Sequence, residues 1–194
     1  MMDNFSLIFP LSKNKEIKGN RRLAREKALQ VITTYLISDE SLIRSFDHIF
    51  YRDFNFGDGD EHYEKILTQA EVVEVESDTA IIWESEEIDF AFSLVEKTLE
   101  TRDIVDEYIT AVAENWELDR IASLDRILIE MAVVELIYFP EIPTKVSINE
   151  SIEIAKRYST DKSGNFINGV LDKILGKLES ESKINKTGRG LQNK

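Results

Sequence analysis

Residues 121–139 read IASLDRILIEMAVVELIYF, and the fold follows from how little of that stretch is polar. Asp125, Arg126, Glu130 and Glu135 are its few charges, so a helix of about 3.6 residues per turn carries apolar side chains on nearly every side. A helix with no wet face belongs in the middle of other helices. Pro140 and Pro143 end it, because proline removes a backbone donor and restricts the residue before it.

Working upstream, Ala24, Ala28, Val31, Ile32 and Tyr35 recur at three- and four-residue steps, which predicts an amphipathic helix from Arg21 to about Ile37 with Asn20 as N-cap. Leu42, Ile43, Phe46, Ile49 and Phe50 predict a second helix ending near Arg52. Helical spacing returns with Ile88, Ala91, Phe92, Val95 and Leu99, breaks at Thr101-Arg102-Asp103, and continues through Ile104, Val105, Tyr108, Ile109 and Val112. Downstream, Ser147-Ile148-Asn149-Glu150 has the spacing of a capping box opening a helix with Ile148, Ile152 and Ala155 on one face. A last helix from Ser163 to about Leu178 buries Phe166, Ile167, Val170, Leu171, Ile174 and Leu178. About seven helices with short connections and no repeats make an all-α domain.

Between these elements, residues 55–86 read as an acidic insertion. Gly57-Asp58-Gly59-Asp60 signals a loop, Val72-Val73-Glu74-Val75 has the character of a short strand, and Ile81-Ile82-Trp83 could pin the segment to the core. Residues 1–19 read as a flexible tail whose Phe5, Leu7 and Ile8 dock on the domain, and residues 179–194 as a polar tail that frays. The apolar run from Phe5 to Leu11 has no basic region before it and is too short to span a bilayer.

Composition narrows the function. In 194 residues, 42% hydrophobic and 31% charged, there is no Cys, which excludes a disulfide scaffold, a thiolate metal site and a cysteine nucleophile and fits a reducing cytoplasm. His48 and His62 are the only histidines and share no ligand spacing, and no Gly-rich phosphate loop is present. The expectation is a protein that is no enzyme and holds neither a cofactor nor a metal.

The net charge is −13, yet its distribution is uneven. Lys13 to Lys27 holds seven bases against two acids, residues 53–107 hold eighteen acids against three bases, and residues 156–194 hold nine bases against four acids. Arg21, Arg22 and Arg25 fall within an arc of about 100° on the first helix, which predicts guanidinium groups converging on one ligand. Cations in a first helical turn oppose the macrodipole at a cost of roughly 0.3–1 kcal/mol each. A phosphate held there turns that liability into binding, through free backbone N–H groups and charge-assisted bonds. Ser159-Thr160-Asp161-Lys162-Ser163-Gly164-Asn165 is a second polar loop feeding a helix start. Gly169, inside the last helix and off its apolar stripe, predicts the close approach of another helix.

Three ordered blocks then resemble one family. They are Arg21-Arg22-Leu23-Ala24-Arg25-Glu26-Lys27-Ala28-Leu29-Gln30; Trp116-Glu117-Leu118-Asp119-Arg120 running into Asp125-Arg126-Ile127-Leu128 and Glu135-Leu136; and Ile142-Pro143 with Lys145-Val146, Ile148-Asn149-Glu150, Glu153, Ala155-Lys156 and Phe166-Ile167-Asn168-Gly169-Val170-Leu171-Asp172. Over residues 21–52 and 87–178 the chain resembles the NusB family of transcription antitermination factors. The resemblance implies two small helical bundles packed across each other, about 20–100 and 101–178, within a domain covering 20–178. It also implies binding of single-stranded boxA-like RNA together with NusE, a small ribosomal-subunit protein, within the RNA polymerase elongation complex, in support of ribosomal RNA operons. By position, Arg21, Arg22 and Arg25 match the family's basic helix, and Lys162, Ser163 and Asn165 lie in the loop flanking its RNA surface. Departures are Thr33 where an aromatic is frequent, Glu130 where a base is frequent, and the acidic segment 55–86. The alternative class is a protein-interaction module whose acidic face binds a basic protein, with little direct RNA affinity.

Overall fold

The computed structural model describes residues 17–51, 81–112 and 120–192. Among these, seven α-helices form: α1 (Arg21–Ile37), α2 (Leu42–Tyr51), α3 (Ser85–Glu100), α4 (Arg102–Val112), α5 (Ser123–Tyr138), α6 (Thr144–Tyr158) and α7 (Ser163–Ser180). The all-α class stands, and α5 is central: every residue from Ile127 to Leu136 is buried, and α1, α3, α4, α6 and α7 all pack on it. Helix α1 also lies against α2 and α3, while α6 and α7 pack on each other.

Two short strands join the N-terminal elements. β1 (Ile17–Lys18) pairs in parallel with β2 (Ile81–Ile82), Ile17 opposite Ile81, and the Gly19 N–H donates to the Ile82 carbonyl at 2.7 Å. The tail assigned to residues 1–19 is therefore anchored at its last three residues, and Ile81-Ile82-Trp83 does pin its segment to the core. A Cβ on Gly19 would lie 2.4 Å from the Trp83 ring, so only glycine fits beneath that indole. The acidic segment ends sooner than residue 86, because α3 begins at Ser85. The strand expected at Val72–Val75 lies outside the described residues.

Three other expectations are corrected. Ser147 and Glu150 do not cap α6, which begins at Thr144; Ser147 Oγ donates to Glu135 at 2.8 Å and Glu150 accepts from Arg22, so both face other helices from inside the helix. Nothing approaches Gly169, where a Cβ would meet no atom within 4 Å. The chain after α7 is not loose: it forms a strap across α4 and the end of α5. The Tyr108 hydroxyl donates to Glu181 at 2.5 Å, and Lys183 donates to the Tyr108 oxygen. Lys186 Nζ donates to the Glu135 and Phe139 carbonyls at 3.0 and 2.9 Å, adding a charged donor to two carbonyls that also accept the Phe139 and Ile142 N–H groups. The Thr187 N–H bonds the Pro140 carbonyl at 2.9 Å.

Candidate nucleic-acid interface

The Asn20 side chain accepts the Leu23 N–H at 3.0 Å and fixes the start of α1 with no acid in its first turn. The three arginines behind that cap part company. Arg21 places its guanidinium carbon 4.3 Å from the centre of the Phe90 ring, a cation–π contact. Arg22 donates from Nε and Nη2 to the two oxygens of Glu150 at 2.9 and 2.8 Å. Arg25 donates in the same fork to Glu135 at 2.6 and 2.9 Å, and from Nη1 to the Arg21 carbonyl at 3.2 Å.

Arg25 is only 4% exposed and Glu135 2%, so Arg25 does not converge with its neighbours on a surface ligand. The reason is its place on the helix: Ala24 before it and Ala28 three residues on are fully buried, and its Cβ points inward with theirs. Arg22 differs, with 55% of its side chain exposed against 16% for Glu150. The Arg22 hydrogen bonds hold the Glu150 carboxyl below its usual range, and the carboxylate raises Arg22 in turn.

The C-terminal end of α6 completes this face. Arg157 Nη1 donates to both oxygens of Glu26 at 3.1 and 3.0 Å, and the Tyr158 hydroxyl adds a third bond at 2.7 Å. Glu26 is buried while most of the Arg157 side chain is in water. Lys156 is exposed and pairs with Glu153 at 2.6 Å. One open cleft is lined by Arg22, Glu26, Glu153, Ile154, Lys156 and Arg157, so three cations from two helices share a wall. Sequence reading does not name Lys156 or Arg157 as site residues: both are counted among the nine bases of residues 156–194, and Lys156 is otherwise quoted only within the third resembling block. The available signal was two adjacent bases at a helix C-terminus, which the macrodipole alone accounts for.

Of the residues expected in the loop before α7, only Lys162 lies there; Ser163 and Asn165 stand in the first turn of α7, with Lys162 and Asn165 exposed and Ser163 buried. The Ser163 oxygen accepts the Thr160 N–H at 3.2 Å and lies 3.0 and 2.8 Å from the hydroxyls of Ser159 and Thr160. Ser159 in turn donates to Asp125 at 2.6 Å. Ser163 thus ties the loop to α5, and its hydroxyl is spent inside the turn. Among the described residues no group of three or more His, Asp and Glu side chains is placed to hold a metal, and His62 lies outside them.

The NusB family model matches residues 22–176. A transcription antitermination protein NusB from Salinibacter ruber is 55% identical over 103 residues, covering 53% of this chain and 64% of that protein. The NusB of Chloroherpeton thalassium is 34% identical over 172 residues, 89% of this chain and 69% of the relative. Among solved structures, T. maritima NusB aligns with a TM-score of 0.60 at 27% identity, over 82% of this chain and 93% of the other. A structure of the antitermination factors NusB and NusE with double-stranded RNA aligns with a TM-score of 0.59 at 20% identity, over 81% and 96%; at that identity it speaks for the fold. These relatives are transcription antitermination proteins, not enzymes. Because the match runs from Arg22 to Gly176 and reaches all seven helices, this chain belongs to the NusB family.

Proposed function

We propose that this chain is a cytoplasmic RNA-binding transcription antitermination factor that holds single-stranded boxA-like RNA together with NusE. It acts in the RNA polymerase elongation complex and supports transcription of ribosomal RNA operons. The observation that carries the reading is the cleft where Arg22, Lys156 and Arg157 come together on a chain of net charge −13. Each of these cations pairs with a carboxylate, Glu150, Glu153 or Glu26, so the face is near neutral on an acidic molecule, and the exposed parts of Arg22, Lys156 and Arg157 are the donors it offers a phosphate. The NusB and NusE structure with RNA supports the pairing of partners. Arg21, Arg22, Lys162 and Asn165 supply outward contacts to phosphate, joined by Lys156 and Arg157. Arg25 and Ser163 act from inside, holding α1 and the α7 loop in place. Unpaired bases offer edges for selectivity that an A-form duplex hides.

The test is a titration of labelled boxA-like RNA, single-stranded and annealed to its complement, with and without NusE at two salt concentrations. The expected result is tighter binding of the single strand, strengthened by NusE and falling steeply with salt. Tight NusE binding with no RNA affinity in any arm would overturn this reading in favour of the protein-interaction module.

A further inference from the structure

Two crossed ion pairs link α1 to α6 at the cleft. Arg22 of α1 reaches Glu150 of α6, and Arg157 of α6 reaches back to Glu26 of α1. In both pairs the acid is the inner partner: the arginine side chains are 55% and 63% exposed, against 16% for Glu150 and 8% for Glu26. Each carboxylate stands behind its arginine, on the side away from water.

Glu26 is the more completely engaged of the two acids. It accepts two bonds from Arg157 Nη1 and one from the Tyr158 hydroxyl, all from the last two residues of α6. The Arg157 guanidinium carbon also lies 5.2 Å from the centre of the Tyr158 ring, so one tyrosine steadies both partners. Stability alone does not ask for this arrangement, because apolar side chains of similar volume often replace a buried ion pair without loss. What the pair does achieve is a fixed guanidinium. It occupies Nη1 and leaves Nη2 and Nε outside it, on a long side chain that would otherwise lose rotamer entropy on meeting a phosphate.

Lys156 is the contrast. Its partner Glu153 is on the same helix, one turn earlier, and the two side chains are 59% and 48% exposed. A pair so open to water is weak and easily rearranged. Glu153 offsets the charge of Lys156 without fixing its position.

We propose that Glu26 is a positioning residue for RNA, a buried acid that holds Arg157 in the cleft it shares with Arg22. The inference rests on the RNA-binding reading above. It carries a sign that charge alone does not: removing an acid beside a polyanion should tighten binding, whereas removing Glu26 should weaken it.

The test uses the full chain with NusE and labelled boxA-like RNA. Glu26→Met, or Glu26→Gln should the first disturb the helical spectrum, should bind about two- to tenfold more weakly than the parent, the range for ordering one long side chain. Glu153→Gln removes the same charge from the same cleft and should bind more tightly. In an Arg157→Ala background the Glu26 substitution should cause no further loss, which a merely structural role would still produce. A parent chain without RNA affinity would remove the cleft reading and this inference together. Where the parent binds, the inference alone is overturned if the Glu26 and Glu153 variants shift affinity in the same direction, or if the Glu26 variant has no effect. A loss of equal size in the Arg157→Ala background overturns it as well.

Discussion

Arg25 on α1 and Glu135 on α5 face each other as a two-bond fork, 110 positions apart in the chain and nearly sealed from water. Ser147 from α6 donates to the same carboxylate, and Lys186 from the C-terminal strap bonds the Glu135 carbonyl. One glutamate thus joins α1, α5, α6 and the strap. One of the three arginines read from the sequence as ligand-binding is part of the interior.

Arg25→Ala should therefore cost about 3–5 kcal/mol of stability, because it leaves the Glu135 carboxylate buried without its counter-charge. The paired change Arg25→Met with Glu135→Met should recover much of that loss. Urea unfolding of the three chains measures it; a single-variant loss below about 1 kcal/mol would mean that the pair is solvated.

Gly169 and Gly190 should respond oppositely to alanine. In α7, a Cβ on Gly169 meets nothing, so Gly169→Ala should stabilise by about 0.5–1 kcal/mol through helix propensity. On Gly190 it would stand 1.9 Å from the Pro140 carbonyl oxygen, so Gly190→Ala should lift the strap. Hydrogen exchange at residues 183–192 should speed up in the second variant and stay unchanged in the first.

Much of this architecture is legible in the chain because apolar periodicity records which face of a helix is buried. Asn20, Arg21 and Ile37 stand at the ends of α1 as its pattern predicts, and the break at Thr101 is where α3 gives way to α4. What periodicity cannot record is the partner of a polar side chain. Ser147 and Glu150 have capping-box spacing, yet their partners, Glu135 and Arg22, come from other helices. The polar strap has no apolar stripe and docks through hydrogen bonds to carbonyls. Arg25 and Arg22 differ in burial because of what packs beside each, and an arc on a helical wheel does not carry that information.

The Glu181 carboxyl should titrate at about 2. The Tyr108 hydroxyl holds it down most, followed by Lys183 and Lys177. A lowered carboxyl favours the docked strap above its ordinary value of 4.5, and that preference disappears as pH falls through about 2. Carboxyl carbon shifts followed by NMR should show this midpoint, and Tyr108→Phe should move it up toward 4.5. An ordinary midpoint in the parent chain would show that the strap is not held at Tyr108.

The central claim is that exposed cations of α1, the end of α6 and the loop before α7 hold RNA phosphates while Arg25 does not. Its most direct test is the salt dependence of boxA-like RNA binding in the presence of NusE, for the parent chain and for Arg22→Ala, Arg157→Ala and Lys162→Ala. Each variant should bind more weakly and make the plot of log K against log salt shallower by roughly 0.7, the single-strand value for one lost phosphate contact. Slopes identical to the parent in all three variants would contradict the account and remove the cleft from the RNA surface.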